Sequence, residues 1–141
     1  MVINMAIKQI SVFVENKQGT LCGIAEALAK NGIDMNALTL ADTTDFGIMR
    51  MIVTDTEKAK AVLYEQGYLV KVNEVVAVEM ENKPGALSEV IAILGDAGMN
   101  IEYLYAFIAV CGKNARVVLR VEDNDKAESL LCSKGIKVVS E

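Results

Sequence analysis

Glu15-Asn16-Lys17-Gln18-Gly19-Thr20-Leu21 and Glu81-Asn82-Lys83-Pro84-Gly85-Ala86-Leu87 are one seven-residue string written twice, 66 residues apart. Outward from it, Asn31-Gly32-Ile33-Asp34-Met35 returns at the same offset as Ala97-Gly98-Met99-Asn100-Ile101, and Arg50 falls on Arg116. Farther on the offset grows to 68, because Lys58-Ala59 matches Lys126-Ala127 and Gly67 matches Gly135, which places a two-residue insertion near Asp123. A repeat of about 70 residues is a complete small domain, longer than the 20 to 50 residues or so of a solenoid unit. The chain of 141 residues is therefore expected to form two domains, 7–73 and 74–141.

Within each copy the apolar pattern switches between two periods. Ile10, Val12 and Val14 alternate as on a strand, whereas Leu21, Ile24, Ala25 and Leu28 recur at helical spacing after Gly19. Asn31-Gly32 stops that helix. Strands over 33–41 and 47–53 around a turn at 42–45, a helix capped by Thr54 or Asp55 and ended by Gly67, and a strand over 68–72 complete a βαββαβ unit. The second copy repeats the order: strand 75–80, helix 85–97, strands 99–110 and 115–121, helix 125–133, strand 136–139. The expected class is α+β, two tandem ferredoxin-like sandwiches, each an antiparallel sheet with helices on one face. The link Asn73-Glu74 carries no spacer, so one rigid pseudo-symmetric body is expected.

Composition narrows the function classes. Units this small bury only about 60% of their unfolded surface alone, so the hydrophobic content of 52% is read as two half-sufficient cores that pack on each other, with room for a further partner. A net charge of −5 with scattered Lys and Arg argues against a nucleic-acid binder. No apolar run is long enough to cross a membrane, and Met1-Val2-Ile3-Asn4 has no signal-like character, so a cytoplasmic protein is expected. The absence of histidine removes Ser-His-Asp and Cys-His nucleophile pairs and His-containing zinc sites; paired carboxylates stay possible on paper, but no acidic pair sits in a context that suggests a shared cleft, so no catalytic residue, cofactor or metal is assigned. Cys22, Cys111 and Cys132 form no C-x-x-C pair and read as reduced packing residues. Cys22 alone, in the first turn of a helix, is a candidate for a lowered thiol pKa.

Ile101, Tyr103, Tyr105 and Phe107 alternate with Leu104, Ala106 and Ile108, so this strand is expected to be apolar on both faces. A homodimer stacked through the open sheet face would cover the second one; the plainer reading is that Tyr hydroxyls make that face tolerable in water.

The strand-loop-helix string E-N-K-x-G-x-L, with G-[IM]-[DN]-[MI] opening the next strand, resembles the ACT domain, a small-molecule-binding regulatory module of amino-acid metabolism, over nearly the whole chain and twice. Physically, a helix opening at Gly19 or Gly85 offers unpaired N–H groups and a positive dipole end to a carboxylate. Gly admits a ligand close to the main chain, Pro84 stiffens the second loop, and Asn16 and Asn82 add an amide that donates and accepts. The plainer reading of Asn-x-x-Gly is a turn with a helix cap.

The resemblance implies ligands between two ACT domains, the loop of one facing the start of the second strand of the other. Carried over, Asn16, Gly19, Thr20 and Leu21 face Asn100 and Ile101, and Asn82, Gly85, Ala86 and Leu87 face Asp34 and Met35. Two departures make the sites unequal: Gln18 replaces the usual Pro, and Asp34 brings a carboxylate that favours an ammonium and repels an acid. The first repeat also resembles the regulatory small subunit of acetohydroxyacid synthase, which makes a biosynthetic enzyme a candidate partner. The expectation is a non-catalytic regulatory protein binding a free amino acid; the alternatives are a ligand-independent subunit of such an enzyme and a small enzyme. Output would pass through another protein or through assembly.

Overall fold

In β1 (Ile7–Glu15) the alternation of apolar residues makes two unlike faces, Ile10, Val12 and Val14 turning toward the helices and Ser11 and Phe13 away from them. The computed structural model describes residues 6–42, 45–108 and 112–140. After β1 come α1 (Thr20–Lys30), β2 (Met35–Asp42), β3 (Phe46–Val53), α2 (Thr56–Glu65), β4 (Leu69–Glu81), α3 (Ala86–Asp96), β5 (Ile101–Ala106), β6 (Asn114–Val121), α4 (Asn124–Ser133) and β7 (Lys137–Val139). The expected strand end at Val110, and Cys111, lie outside the described residues. The chain divides into two compact units, one of Lys8–Asn73 and one from Glu74 onward with Ile7.

In the first unit the strand order is β2-β3-β1, all antiparallel, and β1 has β4 as its other neighbour, with the Gln9 side chain donating to Asn73 Oδ1 at 3.2 Å. In the second unit β4 sits between β7 and β6, and β5 pairs with the far side of β6. Its order β7-β4-β6-β5 is that of a ferredoxin-like sheet. Each unit has its own core: Ile24, Leu28 and Leu63 from α1 and α2 meet Met49 and Met51 of β3, and Val90, Leu94 and Leu131 from α3 and α4 meet Val117 and Leu119 of β6.

Three details differ from the sequence reading. The two strands expected over 68–72 and 75–80 are one, because β4 runs unbroken through Asn73-Glu74. The insertion is not near Asp123: Leu38 pairs with Met51 as Leu104 pairs with Leu119, so the offset is already 68 on β6, and the two extra residues fall in the β5–β6 connection. Arg50 thus corresponds to Val118, and Arg116 to Ile48.

Lastly, a bulge between Ile101 and Tyr103, repeated in the first unit between Met35 and Ala37, sets two residues against one. It turns Ile101 and Met35 into the cores and away from the tyrosine face. On that helix-free face Tyr103 and Tyr105 stack at 6.4 Å. Tyr105 is buried there with Ala77 and Val118, so in the second unit the middle of this face is not open to solvent; on the corresponding face of the first unit Gln9 and Ala37 are buried.

The helix starts fall into two classes. Asp55 and Asp123, extended N-cap residues of α2 and α4, each accept a hydrogen bond through a carboxylate oxygen, from the backbone N–H of Lys58 and Lys126, both at 3.1 Å. Asp55→Ala and Asp123→Ala are each expected to cost about 1 kcal/mol in urea unfolding, without affecting the starts of α1 and α3.

Candidate functional site

The loop that precedes α1 is folded by its own backbone. Asn16 N–H donates to the Asp45 carbonyl at 2.9 Å, Lys17 N–H to Glu15 at 2.9 Å, and Gly23 N–H is the first to reach back a full helical turn, to Gly19 at 3.0 Å. The loop before α3 repeats this: Asn82 to Lys113 at 2.9 Å, Lys83 to Glu81 at 3.0 Å, and Glu89 to Gly85 at 3.0 Å. Lys17 and Lys83 each pair with the glutamate two residues earlier at 3.1 Å. The duplicated string is therefore a duplicated structure.

Gly19 and Gly85 are the N-cap residues, at φ 90 in both, and neither helix receives a side-chain cap. A left-handed backbone there requires glycine, and a Cβ at either would meet nothing within 4 Å, so the space in front of each helix is open. Two helices in this chain are closed by an aspartate and two are left for an acceptor that is not a side chain of their own cap.

Thr20, one of the predicted site residues, has a buried hydroxyl oxygen with no hydrogen-bond partner. It lines a cavity of about 70 Å³ with Val14, Asn16, Lys17, Leu21 and Leu40. Its counterpart Ala86 is buried and apolar, so the two loops differ by one hydroxyl as well as by Gln18 for Pro84. Leu21 is exposed, while Leu87 packs partly on the second core. Asn82 is exposed, as are Asp34 and Asn100 at the strand starts.

The remaining predicted residues stand at the other end of their own sheets. Met35 pairs with Val53, whereas Gly47, at the opposite end of β3, pairs with Val14, just before the loop. With 8 residues in β2, the two levels are roughly 24 Å apart. One unit cannot bring Asn16–Leu21 together with its own Asp34 and Met35, nor Asn82–Leu87 with its own Asn100 and Ile101. The backbone of Asp34 is occupied locally, its N–H donating to Thr54 Oγ1 at 3.1 Å.

A family model described as an ACT domain pair matches residues 5–141. The chain belongs to that family. Among solved structures, protein BT0572 from Bacteroides thetaiotaomicron is 38% identical, with a TM-score of 0.89 over 96% of this chain and 92% of that one. The ligand-free regulatory subunit of aspartate kinase from Thermus thermophilus matches at 16% identity and TM-score 0.68, over 92% and 93% of the two chains. That from Thermus flavus matches at 17% and 0.60, over 92% and 93%. A comparison with curated proteins returns no match.

The ACT pair also holds a polar cluster that the sequence reading missed. In the second ACT unit Glu79, its side chain 9% exposed, accepts from Arg116 Nε at 2.7 Å, Asn114 Nδ2 at 3.0 Å and Lys137 Nζ at 3.3 Å. These bonds, Arg116 first and then Asn114, hold its carboxyl at about 2 against an ordinary 4.5, with burial opposing them. A folded-state pKa below the unfolded one gives stability that is complete above about pH 4.5 and lost as pH falls toward 2. Glu79→Gln is expected to lower the thermal midpoint at neutral pH, and the gap from the parent should close in melts taken between pH 4.5 and 2.

The cysteine expectations are corrected. Cys22 and Cys132 are free and exposed, not packing residues. The Cys22 thiol lies 3.5 Å from Glu26 Oε1, and that hydrogen bond and negative charge raise its pKa where the helix dipole alone would lower it. Among the described residues no group of acidic or cysteine side chains could hold a metal, and no helix is long and apolar enough to cross a membrane.

Proposed function

We propose that this ACT domain pair, with repeats at 7–73 and 74–141, is a non-catalytic regulatory module that binds a free amino acid through the loops before α1 and α3. The observation that carries the reading is the contrast in helix starts. Asp55 and Asp123 close α2 and α4, while α1 and α3 open on Gly19 and Gly85 without a side-chain cap. An α-carboxylate completes such an end, accepting N–H bonds and meeting the positive dipole. Asn16 or Asn82 adds a side-chain amide, and the second half of each site comes from an ACT unit other than the one supplying the loop. Asn100 and Ile101 serve the first loop in this reading, Asp34 and Met35 the second.

Ligand binding alters activity elsewhere by favouring one of two states of the module. The proposal therefore includes a cytoplasmic setting, a second copy of the chain and an amino-acid biosynthetic enzyme as the recipient of the signal. A thermal-shift screen against the twenty amino acids tests the first step. A ligand at about 100 times its Kd adds about 2.7 kcal/mol, a shift of several degrees for a protein of this size. The shift should be selective and should shrink in Asn16→Ala and Asn100→Ala. No shift with any amino acid would sink the reading.

A further inference from the structure

The duplication places one groove in each unit at the same point of the fold, where the end of β1 or β4, the loop, the start of β3 or β6 and the turn after α2 or α4 converge. The first, of about 370 Å³, is lined by Phe13, Phe46, Tyr68 and Leu69, with Glu15, Lys17 and Thr20 on its loop side. The second, of about 410 Å³, has Glu79, Asn114 and Lys137 in place of Phe13, Phe46 and Leu69, and Ile136 at the position of Tyr68. The strand register establishes the equivalence, since Glu15 pairs with Phe46 as Glu81 pairs with Asn114. Gly67 and Gly135, at φ 87 and 80, set Leu69 and Lys137 in the same place after their turns.

The two copies of one groove have thus taken opposite chemistry. In the second, both Glu79 oxygens are engaged by Arg116, Asn114 and Lys137, a cluster that satisfies its own charges. In the first, Phe13, Phe46 and Leu69 are 37%, 60% and 63% exposed and together present an apolar wall to water. Beside that wall stand an exposed cation and anion, Lys17 and Glu15, paired at 3.1 Å with side chains 69% and 61% exposed. Such a surface pair holds its partners weakly and exchanges readily for other charges. Thr20 lines the same groove, and its hydroxyl oxygen is buried without a partner. Apolar wall, adjacent positive and negative groups and an unused hydroxyl are complementary to a small zwitterion carrying an apolar side chain. A volume of 370 Å³ is within the usual range of small-ligand sites.

We propose that the groove of the first unit receives the side chain of an amino acid whose carboxylate meets the open start of α1 beside Lys17 and whose ammonium meets Glu15, so that the protein selects aliphatic and aromatic amino acids. The groove of the second unit, walled by its own ion cluster, does not take such a side chain. The inference rests on the amino-acid reading above and adds to it the class of ligand and the side-chain pocket.

Isothermal titration of the full chain with leucine, phenylalanine, aspartate and lysine tests it, alongside variants that install second-unit residues at exposed first-unit positions, Leu69→Lys and Phe46→Asn. Leucine or phenylalanine should bind at least tenfold more tightly than aspartate or lysine. Each variant should lose that affinity tenfold or more while keeping its thermal midpoint, and the conservative Leu69→Met should retain it. Preferential binding of aspartate or lysine, or leucine affinity unchanged in both variants, overturns the pocket assignment and leaves the amino-acid reading standing. A chain that binds none of the twenty amino acids overturns both.

Discussion

Leu63→Ala and Leu131→Ala are each expected to destabilise the protein by about 2–5 kcal/mol, read as a lower midpoint in urea unfolding. These leucines are the same position in the two repeats, on α2 and α4, and both are fully buried. Removing most of a buried leucine loses its transfer free energy and leaves a cavity that the sheet behind it closes only in part. Small domains are stable by about 5–15 kcal/mol in all, so either substitution takes a large share. Because each leucine belongs to a different cluster, the two variants test two cores. Tyr64→Ala, one residue from Leu63 and 75% exposed, is the matched control, with an effect within about 0.5 kcal/mol.

Gly19→Val should act on binding and stability together. Gly19 holds φ 90, and a side chain in that left-handed region costs roughly 1–2 kcal/mol, with a β-branched one at the high end. The added Cβ would meet no atom of the protein, so the cost is one of backbone conformation. Relief of that strain moves the amides of the first turn, and amino-acid affinity should fall at least tenfold. Gly135→Val, in the second unit, separates the two effects. It has the same left-handed strain, at φ 80, in the turn after α4 and outside the groove of the first unit, so comparable destabilisation with binding at the first unit largely retained is the expected titration result.

Much of this was legible in the sequence for physical reasons. A strand period of 2 giving way to a helical period, with glycines at Gly19, Gly32 and Gly67, marks βαββαβ whatever its surroundings, and the duplication lets each copy check the other. The insertion was misplaced because it is two residues long. A slip of two leaves every strand residue on the same face, so the hydrophobic pattern of β6 cannot show where it occurred, and Arg50 and Arg116 offered a false match. The bulges at Met35 and Ile101 were invisible for the converse reason: an extra residue breaks the alternation only once the partner strand is known. Asn73-Glu74 looked like a link, yet neither residue bars an extended backbone, and β4 runs through it.

The loops of the proposed site were legible in the sequence, and the walls of the proposed groove were not. Asn16, Gly19, Asn82 and Gly85 were found because a left-handed glycine before a helix has few substitutes. Phe13, Phe46 and Leu69 were missed because each reads as an ordinary strand or turn residue until placed beside Glu79, Asn114 and Lys137. Setting the two copies side by side would have shown Phe13 against Glu79, a signal present in the sequence from the start.

The most direct measurement is backbone amide chemical-shift mapping of the isotopically labelled chain during titration with amino acids. Binding of an α-carboxylate at the uncapped helix starts predicts the largest shifts at Gly19, Thr20, Leu21 and Cys22, or at Gly85, Ala86 and Leu87. The starts of α2 and α4, closed by Asp55 and Asp123, should stay still. No response from these amides to any of the twenty amino acids, or shifts confined to the capped helices, would contradict the account.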